Sequence, residues 1–225
     1  MSLTVRGVIK VSGRLLGWLP AGDEPGADDA ADSLIALNRL KRAMFGTVIG
    51  PRLSPIGVAG PSGQAESGGE YQIPGGAAFT LTAPANPRAG ARFGVVDAGL
   101  AWGAYPLTIR PNGRLINGAA GNLTIAAAGA NGRWWFRGDT GAWVAEGDWS
   151  GLDAAIEFPD ALIDYLPNML AVVTAAEFSS DIRPEVMSFA IEGRLAFARA
   201  YGRRGAHQID APLGLAPFAP MQGAG

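Results

Sequence analysis

The chain of 225 residues has no cysteine, so disulfides, zinc-thiolate sites and thiol nucleophiles are excluded. Its one histidine, His207, leaves almost no raw material for a Ser-His-Asp relay or a paired-imidazole metal site. Charge is also scarce: Asp, Glu, Lys and Arg make up 17% of the residues, and the formal net charge is −2. That balance argues against nonspecific nucleic-acid binding as the main activity, because counterion release needs a basic face. No apolar run approaches the ~20 residues that cross a bilayer. Gly13, Arg14 and Gly17 interrupt the N-terminal stretch where a signal peptide needs an unbroken apolar core. The expectation is a soluble cytoplasmic product with no membrane segment, no cofactor, no metal and no catalytic turnover.

What is present is apolar and rich in turns. Hydrophobic residues reach 48%, enough for a real core, while 33 Gly and 16 Pro imply many turns and extended segments. Helical periodicity falls in two separated halves, residues 1–46 and 156–204. In the first, Leu3, Val5, Val8, Ile9, Leu15 and Leu16 lie near helical spacing, with Gly17 as the stop. Asp28 and Asp29 then suit the free N–H groups of a second helix running to about Phe45, with Leu34, Leu37, Leu40 and Met44 as its stripe. In the second half Pro159 suits a first helical turn, and Leu162, Ile163, Leu166, Met169, Leu170 and Val173 form an apolar face. Pro167 should kink or restart that helix. Pro184 opens a last helix to Tyr201, on which the small residues Ala190 and Gly193 would let a neighbour approach closely.

Between the halves, residues 47–76 carry Gly and Pro too often for helix and mostly lack strand alternation, which predicts an extended connector. Residues 77–150 hold short β-prone runs at 78–83, 92–97, 107–110, 115–116, 123–126, 134–137 and 143–145. Asn112-Gly113, Asn117-Gly118, Asn131-Gly132 and the Gly138–Gly141 stretch fall between them, the pattern of hairpins rather than of βαβ units. The fold class expected is therefore α+β: a four-helix bundle formed by the two chain ends, with an inserted small antiparallel β-domain. Residues 205–225, with three prolines and no helical pattern, are expected as an extended C-terminal docking tail.

Residues 14–45, RLLGWLPAGDEPGADDAADSLIALNRLKRAMF, together with FPDALIDYLPNMLAVVTAAEF and RPEVMSFAIEGRLAFARAY, resemble the two flanks of head-to-tail adaptor proteins of short-tailed phages. These are also called tail accessory or packaged-DNA stabilisation proteins. In that family a short helix ending in a leucine-glycine step precedes an acidic, proline-containing turn and an Ala/Leu-rich helix. The middle segments NPRAGARFGVVDAG, YPLTIRPNGRLINGAAGNLTI and RWWFRGDTGAWVAEG are similar to a small β-module of phage tail-fibre proteins. The chain departs from the family in its long insertion and in Gly7, Gly13 and Pro167 within helices.

The resemblance implies an adaptor-type helical bundle and a structural virion protein at the head-tail interface. Identical subunits would form a ring of about twelve copies below the portal protein, a closed symmetry that hides apolar faces against neighbours. Such a ring extends the DNA ejection channel, lets double-stranded DNA pass without sequence specificity, and offers a surface to tail nozzle or tail-fibre proteins. Ile209, Leu213, Leu215 and Phe218 of the tail would then dock on the portal or on a neighbouring subunit.

Several residue groups carry a sharper and a plainer reading. Arg194, Arg199, Arg203 and Arg204 could meet DNA phosphates or an acidic portal surface, or simply complement a helix C-terminus. Trp135 and Trp143 are the carriers of any glycan platform, in an alternative reading as a receptor- or glycan-binding tail protein. Trp102, Trp134 and Trp149 lie nearby, and core packing of aromatics is the plainer account. Asp23, Glu24, Asp28, Asp29 and Asp32 read as helix capping and a solvated face rather than a cation loop. Asp97, Asp139 and Asp148 could in principle make a carboxylate pair for glycoside hydrolysis, and nothing in the sequence sets two of them across a cleft. His207 reads as an ordinary surface residue.

Overall fold

The structure, a computed structural model, describes residues 3–58 and 60–202. The expected docking residues Ile209, Leu213, Leu215 and Phe218, with Arg203, Arg204 and His207, lie outside that range. Helix α1 spans Val5–Leu16, with the Thr4 hydroxyl accepting from the Gly7 N–H at 3.3 Å and Gly17 closing it at φ 80°. Gly13 does not interrupt α1. A side chain there would strike Trp18 at 2.7 Å, so the bare glycine lets the chain fold back with the Leu19 N–H on the Gly13 carbonyl. Helix α2 spans Ala27–Thr47 and has no side-chain cap; Asp28 and Asp29 act only through their charge in its first turn.

Pro167 splits the next helix as its missing N–H requires. α3 is a single turn, Asp160–Ile163, and α4, Leu166–Thr174, restarts with Pro167 in its first turn. Helix α5 spans Pro184–Tyr201. Gly193 packs so tightly on α4 that a Cβ would lie 2.6 Å from Tyr165 Cβ. The small residue serves a helix of the same chain.

The β-region differs most from the sequence expectation. Strands β1 (Ser54–Gly57), β2 (Ser62–Gln64), β3 (Gly69–Ile73), β4 (Phe79–Thr82), β5 (Arg92–Asp97) and β6 (Leu107–Arg110) alternate between two sheets. β1, β3 and β5 pair in parallel in one sheet, and β2, β4 and β6 pair in parallel in the other. The chain thus coils, each turn laying one strand in each sheet. The remaining strands are β7 (Leu115–Ile116), β8 (Leu123–Ile125), β9 (Asn131–Arg137) and β10 (Ala142–Ala145). They complete a six-stranded sheet ordered β1-β3-β5-β9-β10-β7 and a four-stranded sheet ordered β2-β4-β6-β8. β8 is antiparallel to β6, β9 to β5 and β10 to β9, whereas β7 runs parallel to β10.

These pairings correct the expected fold class. The protein is α/β with two mixed sheets, not an α+β four-helix bundle bearing an inserted antiparallel β-domain. The expected connector 47–76 is not a bare link, since it supplies β1, β2 and β3. The helices do not close a bundle of their own either. α3 is one turn, and the apolar faces of α1, α2, α4 and α5 share their core with Trp135 of β9 and with Trp149 and Phe158 of the segment that follows the sheet. The reason lies in β9, where Trp134, Trp135 and Phe136 are all buried. Alternation sends Trp135 to the helices and its two neighbours into the space between the sheets. The six-stranded sheet is therefore a middle layer, covered by helices on one face and by the second sheet on the other.

The chain ends are sewn to this layer by backbone. Val5 N–H donates to Ala154 at 3.0 Å and Arg6 N–H to Leu152 at 2.7 Å, ahead of α4, which packs against α1, α2 and α5.

Candidate functional site

The C-terminus of α2 leaves carbonyls without helical donors, and Arg92 serves one of them together with two carbonyls of the segment that follows. Its Nη1 donates to the carbonyls of Phe45 at 2.6 Å, Pro51 at 3.1 Å and Ile49 at 3.4 Å. Its Nε and Nη2 form a two-point pair with the Glu146 carboxylate at 2.5 and 2.7 Å, and both side chains are 7% exposed. Nearby, Lys41 Nζ meets Glu157 at 3.3 Å and lies 4.1 Å from the Trp149 ring centre, while the Trp149 indole N–H also donates to Glu157. Burial pushes the Lys41 pKa down, with Glu157 opposing. Together these contacts fix α2 and the residues after β10 in one frame.

Beside that frame a cleft of roughly 920 Å³ opens where α5 ends. Pro51, Pro84 and Pro87 wall it, Gln64, Glu66, Ser67 and Asn86 give it polar edges, and Arg88 and Arg199 line it. Both arginines are exposed, and neither guanidinium has an ion-pair partner among the described residues. Gly90 is obligatory at the cleft floor: it sits at φ 79°, and a Cβ would fall 2.6 Å from the Tyr201 carbonyl oxygen. Tyr201, edge-on to Trp135 at 5.1 Å, is buried. That burial, with the charge of Asp139, pushes its pKa up to about 12. Gly202, on the cleft rim, is the last described residue, so residues 203–225 continue from here. A proline-walled cleft with two free cations suits an extended segment carrying a carboxylate, or another anion.

A second groove of about 570 Å³ runs between the end of α1, α3, α4 and the start of α5. Leu15, Tyr165 and Phe189 give it apolar walls, and Asp164 and Glu185 line it.

The residues singled out in sequence scatter across the molecule. Arg199 lines the cleft, but Arg194, five residues earlier, points about 140° away around α5. Trp135 and Trp143 are 1% and 0% exposed, as the plainer packing account expects and a glycan platform does not. Trp135 packs on Phe45, Phe158 and Tyr201, and Trp143 on Phe93 and Phe136, so neither ring presents a face to solvent. The carboxylates are separately engaged: Asp139 with Arg137, Asp148 with Arg42, and Asp97 with the backbone N–H groups of Ala101, Trp102 and Gly129. Burial works against the Asp97 charge, and those donors outweigh it, holding its pKa below the usual carboxylate range. Glu24 bonds Lys10, which lowers its pKa. Among the described residues no three Asp, Glu or His side chains gather as a metal site, and no helix is long and apolar enough to cross a membrane.

Sequence reasoning missed Arg88, Arg92 and Glu146. Arg92 had a local signal, a charged residue opening the uncharged run 93–96 of its strand. The cleft had none, because its walls come from segments far apart in the chain. No protein-family model matches the chain, and no curated protein matches it either.

Proposed function

We propose that this protein is a structural component of a phage virion, a head-to-tail connector subunit that assembles in a ring against the portal protein. The ring continues the DNA channel and carries tail nozzle or tail-fibre proteins. The observation that carries the reading is the cleft at the end of α5, with two unpaired guanidinium groups at the root of residues 203–225. Such a cleft suits a chain segment or an acidic partner surface. The resemblance of residues 14–45 and of the helices after Phe158 to tail adaptors supplies the identity of the partner.

In this reading Ile209, Leu213, Leu215 and Phe218 dock on the portal or a neighbouring copy, and Arg199, with Arg203 and Arg204, meets phosphate or carboxylate groups. The virion is its location. The alternative as a glycan-binding tail protein has no observation in its favour, since its two tryptophans are enclosed. Sedimentation of the full chain with cognate portal assemblies tests the proposal. Co-sedimentation is expected, and deletion of residues 205–225 should weaken it while leaving the melting temperature nearly unchanged. Failure of the intact chain to sediment with portals contradicts it.

A further inference from the structure

Helices α1 and α5 both end on glycine, and the two glycines steer the chain differently. Gly17 is left-handed at φ 80°, and the chain folds back so that the Leu19 N–H meets the Gly13 carbonyl. Gly202 is extended at φ −67° and ψ 166°, so the chain leaves α5 at the rim of the cleft without reversing. The next two residues, Arg203 and Arg204, carry the same sign as Arg88 and Arg199 in the cleft. Among the described residues Glu66 is the only acid on that lining, which is therefore net positive. Like charge disfavours the return of this root into its own cleft.

The chemistry that the cleft asks for lies further along the same sequence. Residues 203–225 contain one acid, Asp210, which stands between Ile209 and the run Ala211, Pro212, Leu213. A carboxylate flanked by aliphatic side chains, close to a proline that favours extended backbone, matches two unpaired guanidinium groups set among Pro51, Pro84 and Pro87. Asp210 lies eight residues beyond Gly202, a reach of at most about 26–29 Å, long enough to cross to an adjacent subunit.

We infer that the cleft of one copy receives residues 209–213 of the next copy, with the Asp210 carboxylate on Arg88 and Arg199. Each copy gives one segment and takes one, so the contact is heterologous, the kind that closes rings or extends filaments. This deepens the connector reading, on which it rests for the biological meaning of the ring, by naming the subunit contact.

The absence of native cysteine makes the contact traceable. Full chains are prepared with Ala85→Cys, on the exposed wall of the cleft, and with Ala211→Cys, next to Asp210. They are treated with a short bis-maleimide singly, as a mixture and as the double variant. The expected result is a covalent dimer from the mixture, a ladder from the double variant and only monomer from either single variant. Adding Asp210→Arg to the Ala211→Cys chain should abolish the dimer, and adding Arg88→Asp with Arg199→Asp to the other chain should restore it. Both arginines are exposed, and unchanged melting temperatures check that the variants fold. A double variant linked only within the monomer would place the segment in its own cleft. No cross-link, one indifferent to the charge at 210, or one that the reciprocal swap fails to restore would mean that the cleft does not take this segment. Each of these overturns the inference. The assay contains no portal, so cross-linking without portal binding would leave this contact standing and remove the connector reading instead.

Discussion

Arg92 and Phe93 are neighbours in β5, yet they serve opposite faces of the six-stranded sheet by opposite means. On the helical face, Arg92, Glu146 and Lys41 bury charge, and the ion pairs and carbonyl contacts of Arg92 hold a helix end against the sheet. On the face between the sheets, Phe93, Trp134, Phe136 and Trp143 pack ring on ring, with centroids 4.9 to 5.4 Å apart. Among the described residues the only buried charge on that side, Asp97, pins a loop. The difference follows from backbone needs. Paired strands satisfy their own N–H and C=O groups, so their interior can be apolar, whereas a helix terminus arriving at a sheet brings carbonyls that need donors.

The comparison breaks first at Arg92. Arg92→Ala leaves Glu146 buried without a partner and three carbonyls without donors, and is expected to cost about 3–5 kcal/mol by chemical denaturation. Amide exchange should rise most at the C-terminus of α2. A loss below about 1 kcal/mol would mean that water replaces the guanidinium freely. Large-to-small changes on each face come next. Leu166→Ala on the helical side is expected to cost about 2–5 kcal/mol, and Trp143→Ala between the sheets a comparable amount, as fully packed side chains do. An unchanged melting temperature for Leu166→Ala would mean that the apolar face of α4 is misassigned.

Much of this was legible in sequence at the level of elements. The helix boundaries at Gly17, Pro167 and Pro184 could be read because each rests on local backbone chemistry: a left-handed cap, a missing donor, a fixed φ. The sheets could not be read that way. Parallel pairing in a coil joins Ser54 to Gly69 and Phe79 to Leu107 across irregular intervals, so no repeat marks it. The Asn-Gly turns at 112–113 and 117–118, with Asn112 and Asn117 at φ 56° and 50°, are turns as expected. They do not join adjacent antiparallel strands, and a turn signal alone does not tell which strand comes to lie beside which. The candidate site fared similarly. Arg199 stood out by its place at a helix end, but Arg88 became visible only once folding brought Pro84–Ala91 beside α5.

Smaller effects sharpen the contrast. Asp97 has a folded pKa below its unfolded value of about 3.9. Its stabilisation is therefore full at neutral pH and is lost as pH falls below about 4 through the folded value. Asp97→Asn should destabilise at pH 7 and converge with the parent protein in acid. A constant difference across that range would mean that the charge contributes nothing. The exposed Arg42–Asp148 pair is the weakest link, and Arg42→Ala should change stability by about 0–1 kcal/mol, less still in high salt. A loss equal to that of Arg92→Ala would erase the distinction between buried and exposed pairs.

Electron microscopy of the full protein bound to portal assemblies tests the proposed connector ring most directly. A class average down the symmetry axis should show a closed ring of subunits coaxial with the portal. Small dimers, with bare portals beside them, would contradict it.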